Sequence, residues 1–325
     1  MGIERNDVTD ARGCVRTGSK IRIAGFHVEP EAYQMVAAWA AARGHELTLV
    51  VTTPGPDHTT YDGHNAIVEM APRDQDVLVT TRLKRAAAAI AAYAPNIILS
   101  YTFPYRIPAA ILAIPRLGAV NLHPSPLPRY RGPNPHRMLY DGAPTLGATL
   151  HRTEAGFDTG AILSLQEAPV PPDPCVESVQ AAWDAVLLLA LDDGMARVTA
   201  GEPGTPQDDA DASYAASYTD EESWLDWNWP VETLVRRTVA LNLVQPQARA
   251  VLHGEMVTVL AVRPDAALMP ATEPGTVLGR TSGGYLVAAG DGAVDVDLGP
   301  GETIAVQDMD RFLETAGSGM CILAD

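Results

Sequence analysis

Lysine is almost absent from this 325-residue chain, in which only Lys20 and Lys84 occur. Lysine and arginine together number 23 against 40 acidic residues, and the formal net charge is −17. Nucleic-acid binding depends on cationic side chains that neutralise phosphates. We therefore expect nucleic acid to be an unlikely partner, although the same acidic charge also serves simple solubility.

Cysteine is the next rare residue. The three cysteines, Cys14, Cys175 and Cys321, are far apart and form no CxxC pair. This spacing predicts neither a disulfide framework nor a zinc site, and we expect no metal. Scattered thiols fit a reducing compartment, so a cytoplasmic location is expected.

Long apolar runs are also missing. No stretch reaches the roughly 18 consecutive apolar residues of a transmembrane helix, so we expect no contact with a membrane. Residues 1–19 are polar, lack the apolar core of a secretory signal, and are predicted to form a flexible tail. No GxGxxG motif follows the first predicted strand, so dinucleotide binding has no support.

Strands and helices alternate through the first part of the chain. The predicted strands are residues 20–26, 46–53, 96–101 and 118–122, and the clearest helix is the alanine-rich segment 30–43. This rhythm is typical of a mostly parallel sheet with helical crossovers. Residues 54–76, rich in proline, glycine and polar residues, are predicted to be irregular.

The last third of the chain has a different pattern. Short alternating segments are separated by HG, GG and GDG turns, which indicates a small antiparallel β-barrel. A long helix is predicted at 176–200, and the Gly, Pro and Asp residues of 201–213 predict a linker. The predicted domains are the tail at 1–19, an α/β catalytic domain at 20–207 and a C-terminal barrel at 208–325.

The stretch from 117 to 163 contains the residues best suited to chemistry. Asn121 and His123 end a buried strand, and Asp158 lies in a later GFDTG loop. An asparagine amide can donate to an oxyanion, a histidine can donate or move a proton, and an aspartate can orient the histidine. Because no serine or cysteine lies in a nucleophile motif, the set favours direct attack by an external nucleophile.

The same three residues also admit a purely structural interpretation. An asparagine at a strand end can satisfy backbone groups, and a histidine and an aspartate 35 residues apart in the chain need not pair. The residue types alone leave both interpretations open.

The segment NLHPSPLPRYRG, followed by GFDTGAIL, resembles the formyltransferases that use 10-formyltetrahydrofolate. This family includes methionyl-tRNA formyltransferase, the nucleotide-sugar N-formyltransferases and glycinamide ribonucleotide formyltransferase. The resemblance covers residues 20–205 and continues more weakly into the C-terminal part of the chain. It implies an α/β fold: a Rossmann-like, mostly parallel N-terminal domain followed by a small antiparallel, OB-like barrel.

The resemblance also implies roles for individual residues. Asn121, His123 and Asp158 match the catalytic three, so that a substrate amine attacks the formyl carbon of 10-formyltetrahydrofolate. The loops that hold the cofactor map to Tyr105, Arg106 and Ile107, and to Glu154, Ala155, Gly156, Phe157 and Asp158. Residues predicted to contact the substrate are Ser125, Arg129, Arg131 and Asn134.

The distribution of charge points to a small acceptor. Residues 54–76, where the tRNA enzymes carry a basic loop, contain only Arg73 as a basic residue. Residues 209–325 contain 6 arginines, no lysine and 18 acidic residues, a net charge of −12. We therefore expect a small amine, such as an amino sugar, an amino acid or a biosynthetic intermediate, to be formylated. The alternatives are a methionyl-tRNA formyltransferase, a 10-formyltetrahydrofolate hydrolase or a non-catalytic folate-binding module.

Overall fold

The structure, a computed structural model, describes residues 20–54, 63–154, 156–265 and 272–303. The predicted tail at 1–19 and the predicted cofactor contact Ala155 lie outside these ranges. The chain divides into two compact units. The first unit comprises the chain up to Pro135, Thr145–Pro169 and Ala182–Ala216; the second comprises His136–Pro144, Val170–Ala181 and the chain from Ser217 onward. The domain boundary between residues 207 and 208 stays a prediction.

A seven-stranded sheet forms the centre of the first unit. Its strands are β1 (Arg22–Phe26), β2 (Glu46–Thr52), β3 (Val77–Val79), β4 (Ile97–Tyr101), β5 (Ala119–His123), β6 (Thr145–Arg152) and β7 (Ile162–Pro169). Their order in space is β3-β2-β1-β4-β5-β6-β7. The first five strands are parallel, whereas β6 runs antiparallel to both β5 and β7.

Seven α-helices accompany the strands of the described residues. They are α1 (Pro30–Ala42), α2 (Gly63–Met70), α3 (Leu83–Ala92), α4 (Ala109–Leu112), α5 (Arg137–Asp141), α6 (Val176–Thr199) and α7 (Val231–Asn242). Helix α1 starts at Pro30, whose fixed φ and missing N–H suit a first helical position. On one face of the sheet, Phe26 and Ile98 pack with Ile90 of α3 and Ile111 of α4, and all four are fully buried.

The second unit contains a five-stranded antiparallel sheet. Its strands are β8 (Arg249–Leu252), β9 (Glu255–Asp265), β10 (Val277–Arg280), β11 (Gly284–Ala288) and β12 (Ala293–Leu298), in the order β10-β11-β12-β9-β8. His253 and Gly254 join β8 to β9 with φ values of 51° and 78°, as a two-residue hairpin turn requires. The predicted fold class, a Rossmann-like domain followed by a small antiparallel barrel-type sheet, is confirmed.

Two local predictions were wrong. Residues 54–76 are not irregular throughout, because Gly63–Met70 forms α2. Ile67 of α2 is fully buried with Val50, and this tertiary contact has little signature in a short polar segment. Residues 201–213 are not a free linker: Thr205 pairs with Ile162, and the carbonyl of Ser213 accepts from the Arg131 N–H.

Within the described ranges, no helix combines the length and the apolar character needed to cross a bilayer.

Candidate active site

Three neighbouring strands, β4, β5 and β6, bring Ser100, Asn121 and His151 together. Asn121 on β5 lies opposite Ser100 on β4 and opposite His151 on β6. Directly opposed residues of paired strands present their side chains on the same face of a sheet. The carboxyl ends of β4 and β5 therefore carry a polar cluster at the edge where open α/β sheets bind ligands.

The amide of Asn121 is held in one orientation. The hydroxyl of Ser100 lies 2.7 Å from Asn121 Oδ1 and donates to it. This leaves the amide nitrogen to face His151 Nε2 at 3.1 Å and Asp158 Oδ1 at 3.5 Å. The N–H groups of Asn121 therefore face His151 and the loop that carries Asp158.

The Asp158 carboxylate lies between two histidines. Its Oδ1 is 3.7 Å from His123 Nδ1 and 3.7 Å from His151 Nε2, and its Oδ2 accepts from the Gly132 N–H at 3.0 Å. The sequence-predicted three residues Asn121, His123 and Asp158 are thus brought together, although β5 and the loop are far apart in the chain. Their catalytic role stays a prediction.

Burial and the neighbouring polar groups shift the pKa values of Asp158 and His123 in opposite directions. Burial by itself raises the pKa of Asp158, but the neighbouring His123 and His151 and the Gly132 N–H outweigh it and bring the pKa to about 2. Burial lowers the pKa of His123 although Asp158 and the Tyr130 carbonyl oppose this effect. The site at neutral pH therefore combines an ionised carboxylate with a neutral imidazole.

His151 is a site residue that the sequence analysis missed. Its Nδ1 lies 2.8 Å from the carbonyl of Arg152, which can only accept, so in the neutral ring Nδ1 carries the proton. Nε2 is then free of a proton and accepts from the Asn121 amide. A histidine in an alternating strand has no distinctive signature; only the pairing of β6 with β5 places it in the site.

Gln207 is a second missed residue, and it holds the loop that carries Asp158. Its amide nitrogen donates to the carbonyls of Asp158 at 2.9 Å and of Gly160 at 2.8 Å. Its oxygen accepts from Nη2 and Nε of Arg131 at 2.7 and 3.0 Å. Because Gln207 lies in the segment expected to be a linker, the sequence pattern gave no reason to place it here.

Two glycines allow the backbone to approach closely around Asp158. Gly132 has a φ of 114°, and a Cβ at this position would lie 2.5 Å from the ring of Tyr214. A Cβ at Gly160 would lie 1.8 Å from the carbonyl oxygen of Arg152. A side chain at Gly160 would overlap the backbone, and one at Gly132 would require a strained φ and a shift of the Tyr214 ring, so the RG and DTG elements of the sequence have a steric explanation.

The two predicted cofactor loops meet. The Arg106 guanidinium lies over the Phe157 ring at 4.9 Å from its centroid. The side chain of Phe157 is 48% exposed and that of Tyr105 is 40% exposed, whereas Ile107 is buried in the core. Ile107 can thus present only its backbone to a ligand. Glu154 and Gly156 are exposed on the second loop.

The four predicted substrate contacts differ in their surroundings. Ser125 is fully buried, and its hydroxyl donates to the Arg129 carbonyl at 3.0 Å. Arg129 pairs with Glu167 at 3.2 Å, and Arg131 pairs with Asp209 at 2.9 Å besides holding Gln207. Asn134 donates to the carbonyl of Ala216 at 3.2 Å. In this arrangement all four side chains contact protein groups, and their role toward a substrate stays a prediction.

Gln207 gives a direct test of how the Asp158 loop is held. The change Gln207→Glu keeps the acceptor for Arg131 but removes both N–H donors to the loop carbonyls. We expect kcat to fall by about 10-fold, because the Asp158 carboxylate would no longer be held in place against His123. Steady-state kinetics and thermal unfolding measure the two consequences separately. The control Gln166→Glu makes the same chemical change on β7; an equal loss of kcat there would contradict the assignment.

Family models and a relative of known name match most of the chain. The family model described as "Formyl transferase" matches residues 44–186, and the model described as "Formyl transferase, C-terminal domain" matches residues 218–317. The chain is similar to the methionyl-tRNA formyltransferase of Thiobacillus denitrificans, with 34% identity over 263 residues, which is 78% of this chain and 83% of that protein.

Two solved structures share the fold. HypX from Aquifex aeolicus, solved in complex with tetrahydrofolic acid, has a TM-score of 0.65 and 18% identity and covers 86% of this chain and 44% of its own. The N-formyltransferase from Helicobacter canadensis, solved with folinic acid and dTDP-3-aminofucose, has a TM-score of 0.59 and 11% identity. That likeness covers 86% of this chain and 100% of the other.

Proposed function

Because the chain belongs to the formyltransferase family, we propose that it transfers the formyl group of 10-formyltetrahydrofolate to the amine of a small molecule. The observation that carries this proposal is the cluster of Asn121, His123 and Asp158, in which Oδ1 of Asp158 lies 3.5 Å from the amide nitrogen of Asn121 and 3.7 Å from Nδ1 of His123. The cluster lies at the carboxyl edge of the parallel strands, which is the edge where α/β sheets take ligands.

The three residues divide the work of a direct transfer. The amine lone pair attacks the formyl carbon, and the negative charge that develops on the formyl oxygen is stabilised by an N–H of Asn121 and by the Nε2–H of His123, which in this structure donates to the Tyr130 carbonyl at 3.1 Å. The attacking nitrogen becomes positively charged, and the ionised Asp158 stabilises that charge. The nitrogen then loses a proton, the bond from the formyl carbon to the donor nitrogen breaks, and the released donor takes up a proton.

The low pKa of Asp158 favours one of its possible roles. A carboxylate with a pKa of about 2 is a weak base, so it stabilises a neighbouring cation better than it removes a proton. His123 is the better proton carrier because its imidazole is neutral at physiological pH. In this proposal Asp158 orients His123 and attracts the attacking amine.

The two loops next to the cluster suit a flat heteroaromatic donor. Tyr105 and Phe157 expose large parts of their rings, and Arg106 joins the two loops through its contact with Phe157. Aromatic faces and free backbone groups are the features that hold a conjugated ring system by stacking and hydrogen bonding. The residues present therefore fit the folate donor that the family uses.

Charge supports a small acceptor over a nucleic acid. A net charge of −12 on residues 209–325 repels a polyphosphate chain, and screening by salt removes the repulsion without supplying attraction. A small amine has no comparable charge to place against this surface. A cytoplasmic location, where folate donors are made and used, remains a prediction.

A tRNA acceptor is the second candidate, because the relative from Thiobacillus denitrificans is named methionyl-tRNA formyltransferase. At 34% identity the shared chemistry is secure, but the acceptor is not carried over with it. A tRNA acceptor requires a basic protein surface, whereas a small amine does not.

An acceptor screen distinguishes these candidates. With 10-formyltetrahydrofolate as donor, we expect amino-sugar nucleotides or amino acids to stimulate tetrahydrofolate formation. Methionyl-tRNA is expected to have a kcat/KM ~100-fold lower or worse at 150 mM salt, since its phosphates meet an acidic surface. Saturation by micromolar methionyl-tRNA with no response to any small amine would overturn the small-molecule assignment.

The same assay separates transfer from hydrolysis of the donor. Formate released in the absence of any amine indicates that water takes the acceptor's place. Tetrahydrofolate that forms only when an amine is added, with no formate, supports the transferase. Both products are measured in one reaction, so the two chemistries are compared at equal enzyme concentration.

A further inference from the structure

Tyr214 is a large aromatic residue that the fold leaves uncovered beside the candidate active site. It lies in the segment that follows α6, and it is 67% exposed. Single exposed aromatic side chains are common on protein surfaces, so an interpretation of this one depends on where its ring is held.

The backbone on both sides of Tyr214 is tied to the loop that follows β5. The Ser213 carbonyl accepts from the Arg131 N–H at 2.9 Å, and the Ala215 N–H donates to the Arg131 carbonyl at 2.7 Å. The Ser213 hydroxyl also accepts from the Tyr130 N–H at 2.9 Å. Because these bonds flank Tyr214, its Cα has a fixed position relative to this loop.

One face of the Tyr214 ring lies on the backbone of Gly132. A Cβ at Gly132 would lie 2.5 Å from Cε2 of the ring and 2.9 and 3.0 Å from the two carbons beside it, Cζ and Cδ2. These similar distances indicate a point above the plane of the ring, because an approach along the ring edge would leave the two flanking carbons much farther away. Since the ring is mostly exposed, its opposite face is open to solvent.

Gly132 also connects this ring to the groups of the candidate site. Its N–H donates to Oδ2 of Asp158 at 3.0 Å, so one residue separates the Tyr214 ring from that carboxylate. In the proposed function, Asp158 attracts the acceptor amine as the amine attacks the formyl carbon. The part of the acceptor that carries the amine therefore lies within reach of the open face of Tyr214.

We propose, on the basis of the proposed function, that Tyr214 contacts the acceptor and selects one whose amine is carried on a ring. The flat face of a tyrosine covers another ring, including the C–H face of a sugar ring, whereas an open-chain amine buries much less area on it. The Tyr214 hydroxyl bonds to none of the described residues, so the ring face is what this position supplies. Among small amines, this favours amino sugars over amino acids.

Steady-state kinetics of variants at position 214 test this role. The probes are the amino-sugar nucleotide and the amino acid that respond best in the acceptor screen, with 10-formyltetrahydrofolate as donor. We expect Tyr214→Ala and Tyr214→Leu to raise KM for the amino sugar about 10-fold and to change kcat less than about 2-fold, because they remove a binding contact and leave the reacting groups in place. Tyr214→Phe keeps the ring and is expected to keep the KM.

Three further variants make the result specific. Tyr214→Leu retains an apolar side chain over Gly132, so it reports on the lost ring even where Tyr214→Ala fails to fold. Met256→Ala removes a side chain of β9 that is 66% exposed, and it is expected to leave both KM values unchanged. Phe157→Ala alters the loop expected to hold the donor, so it should raise KM for 10-formyltetrahydrofolate and not for the acceptor.

Three results would contradict the inference. The first is an unchanged KM for the amino sugar in both Tyr214→Leu and Tyr214→Ala. The second is an equal fall in kcat with every acceptor at unchanged KM, which would assign Tyr214 to holding the loop of Gly132 against Asp158. The third is a higher kcat/KM of the unaltered protein for an amino acid than for any amino sugar. Failure of the unaltered protein to formylate any amine would overturn the proposed function itself, and this inference with it.

Discussion

Replacing His123 with alanine is expected to lower kcat for formyl transfer by ~10²–10³-fold, the usual loss when one oxyanion donor is removed. His123 is 6% exposed and lies 3.7 Å from the Asp158 carboxylate, so no other group of the described site takes its position. Tetrahydrofolate formation with the best acceptor of the screen measures the effect.

Two companion variants make this result specific. His253→Asn alters an exposed histidine in the turn between β8 and β9 and is expected to retain full activity. Asn121→Ala should lose activity to a similar extent as His123→Ala. Because Asn121 and His123 serve the same oxyanion, the double variant should fall by much less than the product of the single losses. A His123→Ala enzyme with an unchanged rate would contradict the mechanism.

Acid is expected to destabilise the first unit through His27, which is completely buried at the end of β1. Burial lowers the pKa of His27 from 6.5 to about 4, although the hydrogen bond with the Tyr101 carbonyl works in the opposite direction. A lowered folded-state pKa gives stability that is fully present above pH 6.5 and is lost as the pH falls to about 4. The loss amounts to about 3 kcal/mol of unfolding free energy.

The variant His27→Asn isolates this contribution. Asparagine can keep a donor toward the Tyr101 carbonyl, at 3.1 Å from Nδ1 in the present structure, but it does not titrate. Unfolding by denaturant between pH 7 and pH 4 should give a shallower loss of stability for the variant. His136 of the second unit, whose pKa burial also lowers to about 4, is unchanged in both proteins. If the free energy of unfolding fell equally with pH in the two proteins, His27 would be excluded as the source of the acid destabilisation.

The sequence alone determined the fold class and the location of the three central residues. The alternation of strands and helices predicted the parallel sheet, because each element must bury one face against the next. Local rules were sufficient for α1, which begins at Pro30, and for the His253–Gly254 turn. Asn121, His123 and Asp158 were identified through the family resemblance, because the motif that contains them is long and specific.

The tertiary structure alone decided how those residues are held and charged. His151 enters the site only through the antiparallel pairing of β6 with β5, and Gln207 only because its segment folds back onto the Asp158 loop. Such contacts join residues that are distant in the chain, and the local preferences of each segment for helix or strand do not predict them. Arg106 likewise lines one cleft with Arg82 and Lys84 only because the parallel strands end at the same edge of the sheet.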